Sequence, residues 1–404
     1  MIDFRSDTVT RPTPGMRAAM SAAEVGDDVF GDDPSVNLLQ DHAAEILGFE
    51  AALYAPSGTQ TNLIALMSQC QRGDEAIVGQ MWHTYRWEAG GMAVLGSIQP
   101  QPLENQPDGT LRLADIAAAI KPDDPHFART RLIGIENTTG GKVLPLSYLA
   151  EVADLARTRK LLMHLDGARL FNAAVEIAAA SKDADRENPT ELSRESAGSR
   201  VGKLEEQAIP SGNTEANTHF SKPRTGRKQP DQAAIVAAAR SICSHFDTVS
   251  VCLSKGLGAP IGSLVLGSAE TIGRARRIRK MLGGGMRQAG VIAAAGLYAL
   301  EHHLERLADD HENARELARG LRLIADSTGP LHGRLTIVEP DTNILFVDVD
   351  PRTGPAFQSH LERSGVAVTG GAYHGGLRQR WVTHLDVDAA SVQKALDVVA
   401  GFTG

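Results

Sequence analysis

The chain has 404 residues, with 41 Lys and Arg against 49 Asp and Glu and a formal net charge of −8. That length exceeds one compact core, so a large and a smaller domain are expected; the negative balance gives no general basis for nucleic-acid affinity, and no apolar run is long enough to span a bilayer. Charge from Asp3 onward leaves no signal-peptide core, and Cys70, Cys243 and Cys252, few and in apolar surroundings, predict a reducing, cytoplasmic setting.

In chain order, the pattern predicts a helix over Pro34 to Leu47, an extended Ala51 to Ala55, and a helix over Thr61 to Met67 behind a Ser57-Gly58 turn. The alternation continues with a strand at Ala76 to Gly79, a helix at Leu113 to Ile120, a strand at Leu132 to Glu136, a helix at Leu146 to Arg159 and a strand at Leu161 to Asp166. Such alternation predicts an α/β fold with a mostly parallel sheet covered by helices on both faces. Ser181 to about Pro230 is rich in charge, Ser, Gly, Pro and Asn, with apolar residues scattered singly, and is expected to be disordered. Its basic end, Lys222 to Lys228, could meet an acidic partner, although a solvated tether is the plainer reading. Another strand is expected at Thr248 to Cys252. From about Leu304 come a long helix, strands at Leu335 to Val338 and Ile344 to Val347, a short helix, strands at Val366 to Val368 and Trp381 to Thr383, and a last helix. The expected division is therefore a large domain over 1–303, interrupted at 181–230, and a small α/β domain over 304–404.

Two residues leaving apolar strands carry the chemical signal. Lys255 stands in Leu253-Ser254-Lys255-Gly256-Leu257-Gly258, and Asp166 ends the run Leu161 to Leu165. Singly, the first reads as a solvated turn and the second as a helix N-cap. Together they suggest pyridoxal phosphate, which needs one amine for its aldehyde and one carboxylate to keep its pyridine nitrogen protonated. The turn Ser57-Gly58-Thr59-Gln60 opens a helix and suits a phosphate. No second His or Cys stands at ligand spacing from His83, so no metal site is expected.

Met1 to Pro12 and Gly26 to Pro34 closely resemble the start of the low-specificity L-threonine aldolases, and His164 to Asn172, Cys252 to Gly258 and Gly283 to Gln288 resemble the same family. The likeness runs through nearly the whole chain except 181–230, which family members lack, so that segment reads as a surface insertion. The resemblance implies a fold-type-I, pyridoxal-phosphate-dependent enzyme whose large domain has a seven-stranded-type sheet, with Lys255 as the cofactor lysine, Asp166 at the ring nitrogen and Gly58 and Thr59 as the phosphate cradle. It implies that His83 stacks on the ring; Glu88, five residues on, is placed to orient or tune His83, and His126 is a second candidate near the pocket. It also implies that Arg287 reaches the phosphate of a neighbouring subunit, hence a homotetramer with shared active sites.

A substrate carboxylate suits the planar fork of an arginine. Arg169, three residues after Asp166 and also a cofactor contact, is one candidate; the likeness of Trp381 to Asp386 to the family's C-terminal carboxylate-binding stretch implies Arg380 as the other and Ser6 as a further donor, with Arg378 close enough to Arg380 to compete with it. The activity implied is retro-aldol cleavage of L-threonine, L-allo-threonine or related β-hydroxy-α-amino acids to glycine and an aldehyde. The base is His83, His126 or an ordered water. The rivals are another reaction on the same fold, transamination or β-elimination, and a non-catalytic interaction protein.

Overall fold

The computed structural model describes residues 1–187, 229–370 and 378–404, with side chains to residue 182 in the first stretch. In chain order the strands are β1 (Ile2–Asp3), β2 (Ala51–Ala55), β3 (Asp74–Gly79), β4 (Gln99–Leu103), β5 (Arg129–Glu136), β6 (Leu162–Asp166), β7 (Thr248–Cys252), β8 (Ser263–Gly267), β9 (Leu335–Val338), β10 (Ile344–Val349), β11 (Val366–Ala367) and β12 (Arg378–Val382). Seven of them form one sheet in the order β2-β8-β7-β6-β5-β3-β4. Neighbours from β7 to β4 run parallel; β8 is antiparallel to both β7 and β2.

Alternate residues of β2 and β8 feed different cores, as the two-residue period of a strand requires. Leu53, Ala55 and Val265 join Ile64, Ile272 and Ile278 from helices Gly58–Gln69 and Ala269–Met281. Ala52, Tyr54, Leu264 and Leu266 join the main cluster instead. Helices therefore cover both faces, and the α/β expectation is met.

Local chemistry sets the helix ends. Asp33 caps helix Pro34–Leu47 by accepting from the Val36 N–H, Pro34 stands where a helix needs no N–H, and Gly48 ends it at φ 78°, a left-handed conformation that suits glycine. Ser57 caps Gly58–Gln69 by accepting from the Gln60 N–H.

A second core holds Phe4, Leu321, Phe357, Trp381 and Val392. It packs around the three-stranded sheet β12-β10-β9 and the pair β1-β11. Helix Leu307–Asp326 contributes Leu307 to the main core and Leu317 and Leu321 to this one. β1 pairs in parallel with β11, so the chain's first residues lie on the small unit before crossing to the large sheet. Of the segment expected to be disordered, Ser181 to Glu187 continue helix Leu170–Glu187 because the helical backbone runs on past the last apolar turn; residues 188–228 lie outside the described residues. No helix among the described residues is long and apolar enough to cross a membrane.

Candidate active site

Register brings the chemistry together. Glu136, Asp166 and Ser250 are neighbours across β5, β6 and β7, so the carboxyl ends of three parallel strands form one rim, where open α/β sheets gather ligands. Lys255 lies three residues beyond β7, in a turn closed by Gly258 N–H donating to the Lys255 carbonyl at 2.8 Å, with Gly258 at φ +84°. Lys255 and Asp166 line one pocket with His83, Glu136, Thr138 and Arg169.

Asp166 is buried; one oxygen accepts from Ala168 N–H at 3.1 Å and the other from Asn62 Nδ2 at 2.8 Å. Among the described residues it forms no ion pair, and the Lys255 amine has no hydrogen-bond partner. A buried carboxylate that forms no ion pair and an uncommitted amine in the same pocket fit a flat ring that carries a cationic nitrogen and an aldehyde.

The Gly58 and Thr59 N–H groups open the helix at Ser57, and a Cβ built on Gly58 would stand 2.5 Å from Cys252 Sγ. Glycine is needed there for that close approach, and the exposed N-terminus suits a phosphate.

His83 Nδ1 contacts Glu88 Oε1 at 2.8 Å, and its backbone N–H donates to Glu136 Oε2 at 2.5 Å. Burial opposes a charged His83 ring, but the Glu88 hydrogen bond and the nearby Asp166 charge outweigh it and raise its pKa above the ordinary value. Burial likewise raises Glu88. Glu136, half-buried in the pocket wall, is pushed up to about 8, first by burial and then by the charge of Asp166.

Several expectations meet a different geometry. Arg169 reaches the pocket, but its Nε and Nη2 donate to Asp7 at 2.8 and 2.6 Å, so the fork expected to grip a substrate carboxylate already holds a carboxylate of the chain. His126 is not in the pocket. Its side chain is 88% exposed and paired with Asp124, ahead of the amino end of β5, whereas Glu136 ends that strand roughly 23 Å away at strand rise. Arg378 donates to both oxygens of Asp348, at 2.6 and 2.7 Å, while Arg380 on the same strand reaches the Arg5 carbonyl at 3.1 Å, beside Ser6. Ser6 Oγ caps the short turn Asp7–Val9. Arg287 is exposed, pairs with Asp27 at 2.8 Å, and does not line the pocket.

Sequence reasoning passed over Glu136, Thr138, Asn62 and Asp7. For Glu136 a signal existed, since its strand was expected to end there, next to one ending in Asp166. Asn62, one turn after Gly58, carried none.

The family described as β-eliminating lyase matches residues 3–350. The chain belongs to this family. The low specificity L-threonine aldolase of Escherichia coli K12 is 44% identical over 387 residues, covering 96% of this chain and 95% of that protein. The probable low-specificity L-threonine aldolase 2 of Arabidopsis thaliana is 38% identical over 405 residues, covering 98% and 95%. The solved threonine aldolase of Leishmania major superposes with a TM-score of 0.70 at 19% identity, covering 99% of this chain and 98% of that one, a likeness of fold.

Proposed function

We propose that this chain is a pyridoxal-phosphate-dependent lyase that cleaves L-threonine and related β-hydroxy-α-amino acids to glycine and an aldehyde. The observation that carries the reading is that Lys255 and Asp166, from the ends of adjacent strands, share one pocket beside His83. When bound, the cofactor supplies an electron-accepting ring conjugated to the substrate Cα. Lys255 would anchor it, Asp166 would meet its ring nitrogen, Gly58 and Thr59 would take its phosphate, and His83 would stack on its ring. Arg380 and Ser6 hold the substrate carboxylate, and Arg169, braced by Asp7, serves as a cofactor contact.

In the reaction the β-hydroxyl gives up its proton, the Cα–Cβ bond breaks, and Cα takes a proton, so threonine becomes acetaldehyde and glycine. His83 is the group for the hydroxyl proton: its Nδ1 is held by Glu88, which leaves Nε2 for the substrate. Arg287, outside its own pocket, serves the phosphate of a second copy in a homotetramer, and the cytoplasm is the proposed setting for a chain with three buried free cysteines.

The test is the absorbance spectrum of the purified protein loaded with pyridoxal phosphate, followed by L-threonine and an NADH-dependent aldehyde reductase. A yellow protein that drives NADH consumption is expected. A yellow protein that yields pyruvate, or needs an amino acceptor, would overturn the aldolase reading in favour of elimination or transamination.

A further inference from the structure

We propose that Asn62 is a positioning residue whose side-chain amide ties Asp166, the carboxylate for the cofactor's ring nitrogen, to the Glu88–His83 pair, and that His164 fixes which way the amide points. This rests on the cofactor reading above. Asn62 Nδ2 donates to Asp166 Oδ2 and to Glu88 Oε1, both at 2.8 Å. Its Oδ1 lies 3.1 Å from His164 Nε2, His164 Nδ1 lies 2.8 Å from Thr248 Oγ1, and Gln69 Nε2 donates to Thr248 Oγ1 at 2.5 Å. All these residues but His83 are buried.

Chemistry fixes the direction of every proton. Ionised carboxylates only accept, so the NH2 end of Asn62 faces them and its oxygen must accept from His164 Nε2–H. A neutral imidazole carries one N–H, so His164 Nδ1 accepts from the Thr248 hydroxyl, whose oxygen is free to accept from Gln69. Burial keeps His164 neutral by pushing its pKa down to about 4. The frame is rigid: His164 and Thr248 are register partners on β6 and β7, and Asn62 and Gln69 stand two turns apart on helix Gly58–Gln69. Three secondary-structure elements therefore hold one amide.

The amide sits between two like charges. Without it, Asp166 and Glu88 face each other uncompensated, and one tends to keep a proton. An Asp166 that shares its charge less fully holds the ring nitrogen's proton less firmly, and the nitrogen joining the cofactor to Lys255 then keeps its own proton to higher pH. The titratable and charged groups around this point are Asp166, Glu88, His83, Glu136, Lys255, Cys252 and Arg169 with Asp7 behind it.

The experiment compares the full chain with Asn62→Ala, His164→Leu and His164→Gln; glutamine places an amide N–H about where the imidazole Nε2–H stands. Two quantities are read: the dissociation constant of pyridoxal phosphate by fluorescence titration of the cofactor-free protein, and the pH midpoint of the visible band of the loaded protein. Asn62→Ala and His164→Leu are expected to bind roughly ten- to hundredfold more weakly and to raise the midpoint by about one unit, with His164→Gln close to the parent in both. A purely structural role would lower the melting temperature and leave the midpoint alone. Should Asn62→Ala not fold, the His164 pair decides. Folded Asn62→Ala or His164→Leu with parental affinity and midpoint, or failure of His164→Gln to restore them, would overturn the inference. A parent chain that takes up no pyridoxal phosphate would overturn the proposed function and this inference with it.

Discussion

Asp7→Ala should be among the most damaging single changes outside the hydrophobic cores. Asp7 is fully buried and takes two hydrogen bonds from Arg169, at 2.6 and 2.8 Å, while the Arg169 side chain is only 15% exposed. Burial opposes the Asp7 charge, but Arg169 outweighs it and holds the carboxyl far below the ordinary range. Removing one partner of such a pair leaves a buried guanidinium without compensation, a loss of about 3–5 kcal/mol. Asp3→Ala is the control, because it removes a pair whose arginine, Arg5, is 55% exposed and little affected by burial. Urea denaturation of the cofactor-free proteins, followed by circular dichroism at pH 7, measures both. The sign with pH also follows. A carboxyl whose folded pKa is depressed stabilises fully above its unfolded value of about 3.9 and loses that contribution as pH falls toward the folded one, so the gap between parent and Asp7→Ala should narrow below about pH 4. An Asp7→Ala loss no larger than that of Asp3→Ala would refute the reasoning.

Gly58→Ala should weaken pyridoxal phosphate binding, because the new Cβ would stand 2.5 Å from Cys252 Sγ; Gly58→Ala with Cys252→Ala should recover part of it in the same titration, and no recovery would argue against the close contact. Glu136, with its folded pKa pushed up to about 8, binds more proton folded than unfolded between its ordinary value and 8. Stability of the cofactor-free protein should therefore fall as pH rises through that window and level off above it, and Glu136→Gln should flatten the slope in denaturation series at stepped pH. Arg380→Ala should raise KM for threonine strongly, whereas Arg378→Ala, whose fork is held by Asp348, should leave it near the parent; the reverse order in steady-state kinetics would exchange their roles.

Much of the fold was legible because local chemistry and tertiary packing agree. Pro34 to Leu47 is bounded by an N-cap and a glycine, and the apolar runs ending at Glu136, Asp166 and Cys252 are central strands with no need of alternation. β4 was missed because Gln99-Pro100-Gln101-Pro102-Leu103 reads as a strand breaker; it lies at the sheet edge, where prolines two residues apart turn the same donor-free side outward. β8 carried no periodic signal, and β1, two residues long, depends on β11 more than 360 positions away.

The site divides in the same way. Lys255 and Asp166 announce themselves through strand-end position, and both reach the pocket. Arg169 was read from its residue type and its place three residues after Asp166, and only folding reveals that Asp7, 162 positions earlier, occupies its fork. His126 was expected near the pocket, whereas it lies ahead of the amino end of β5, away from the rim at the strands' carboxyl ends. Asn62, His164 and Thr248 stand on a helix and two strands, and no spacing in the sequence links them.

The central claim is that Lys255 is the cofactor lysine of a site completed by Asp166. Borohydride reduction of the pyridoxal-phosphate-loaded protein, then digestion and mass spectrometry, tests it directly. The account predicts a single phosphopyridoxyl-modified peptide with the label on Lys255, absent from Lys255→Ala. Stoichiometric labelling of another lysine, or none in a protein that still cleaves threonine, would contradict it.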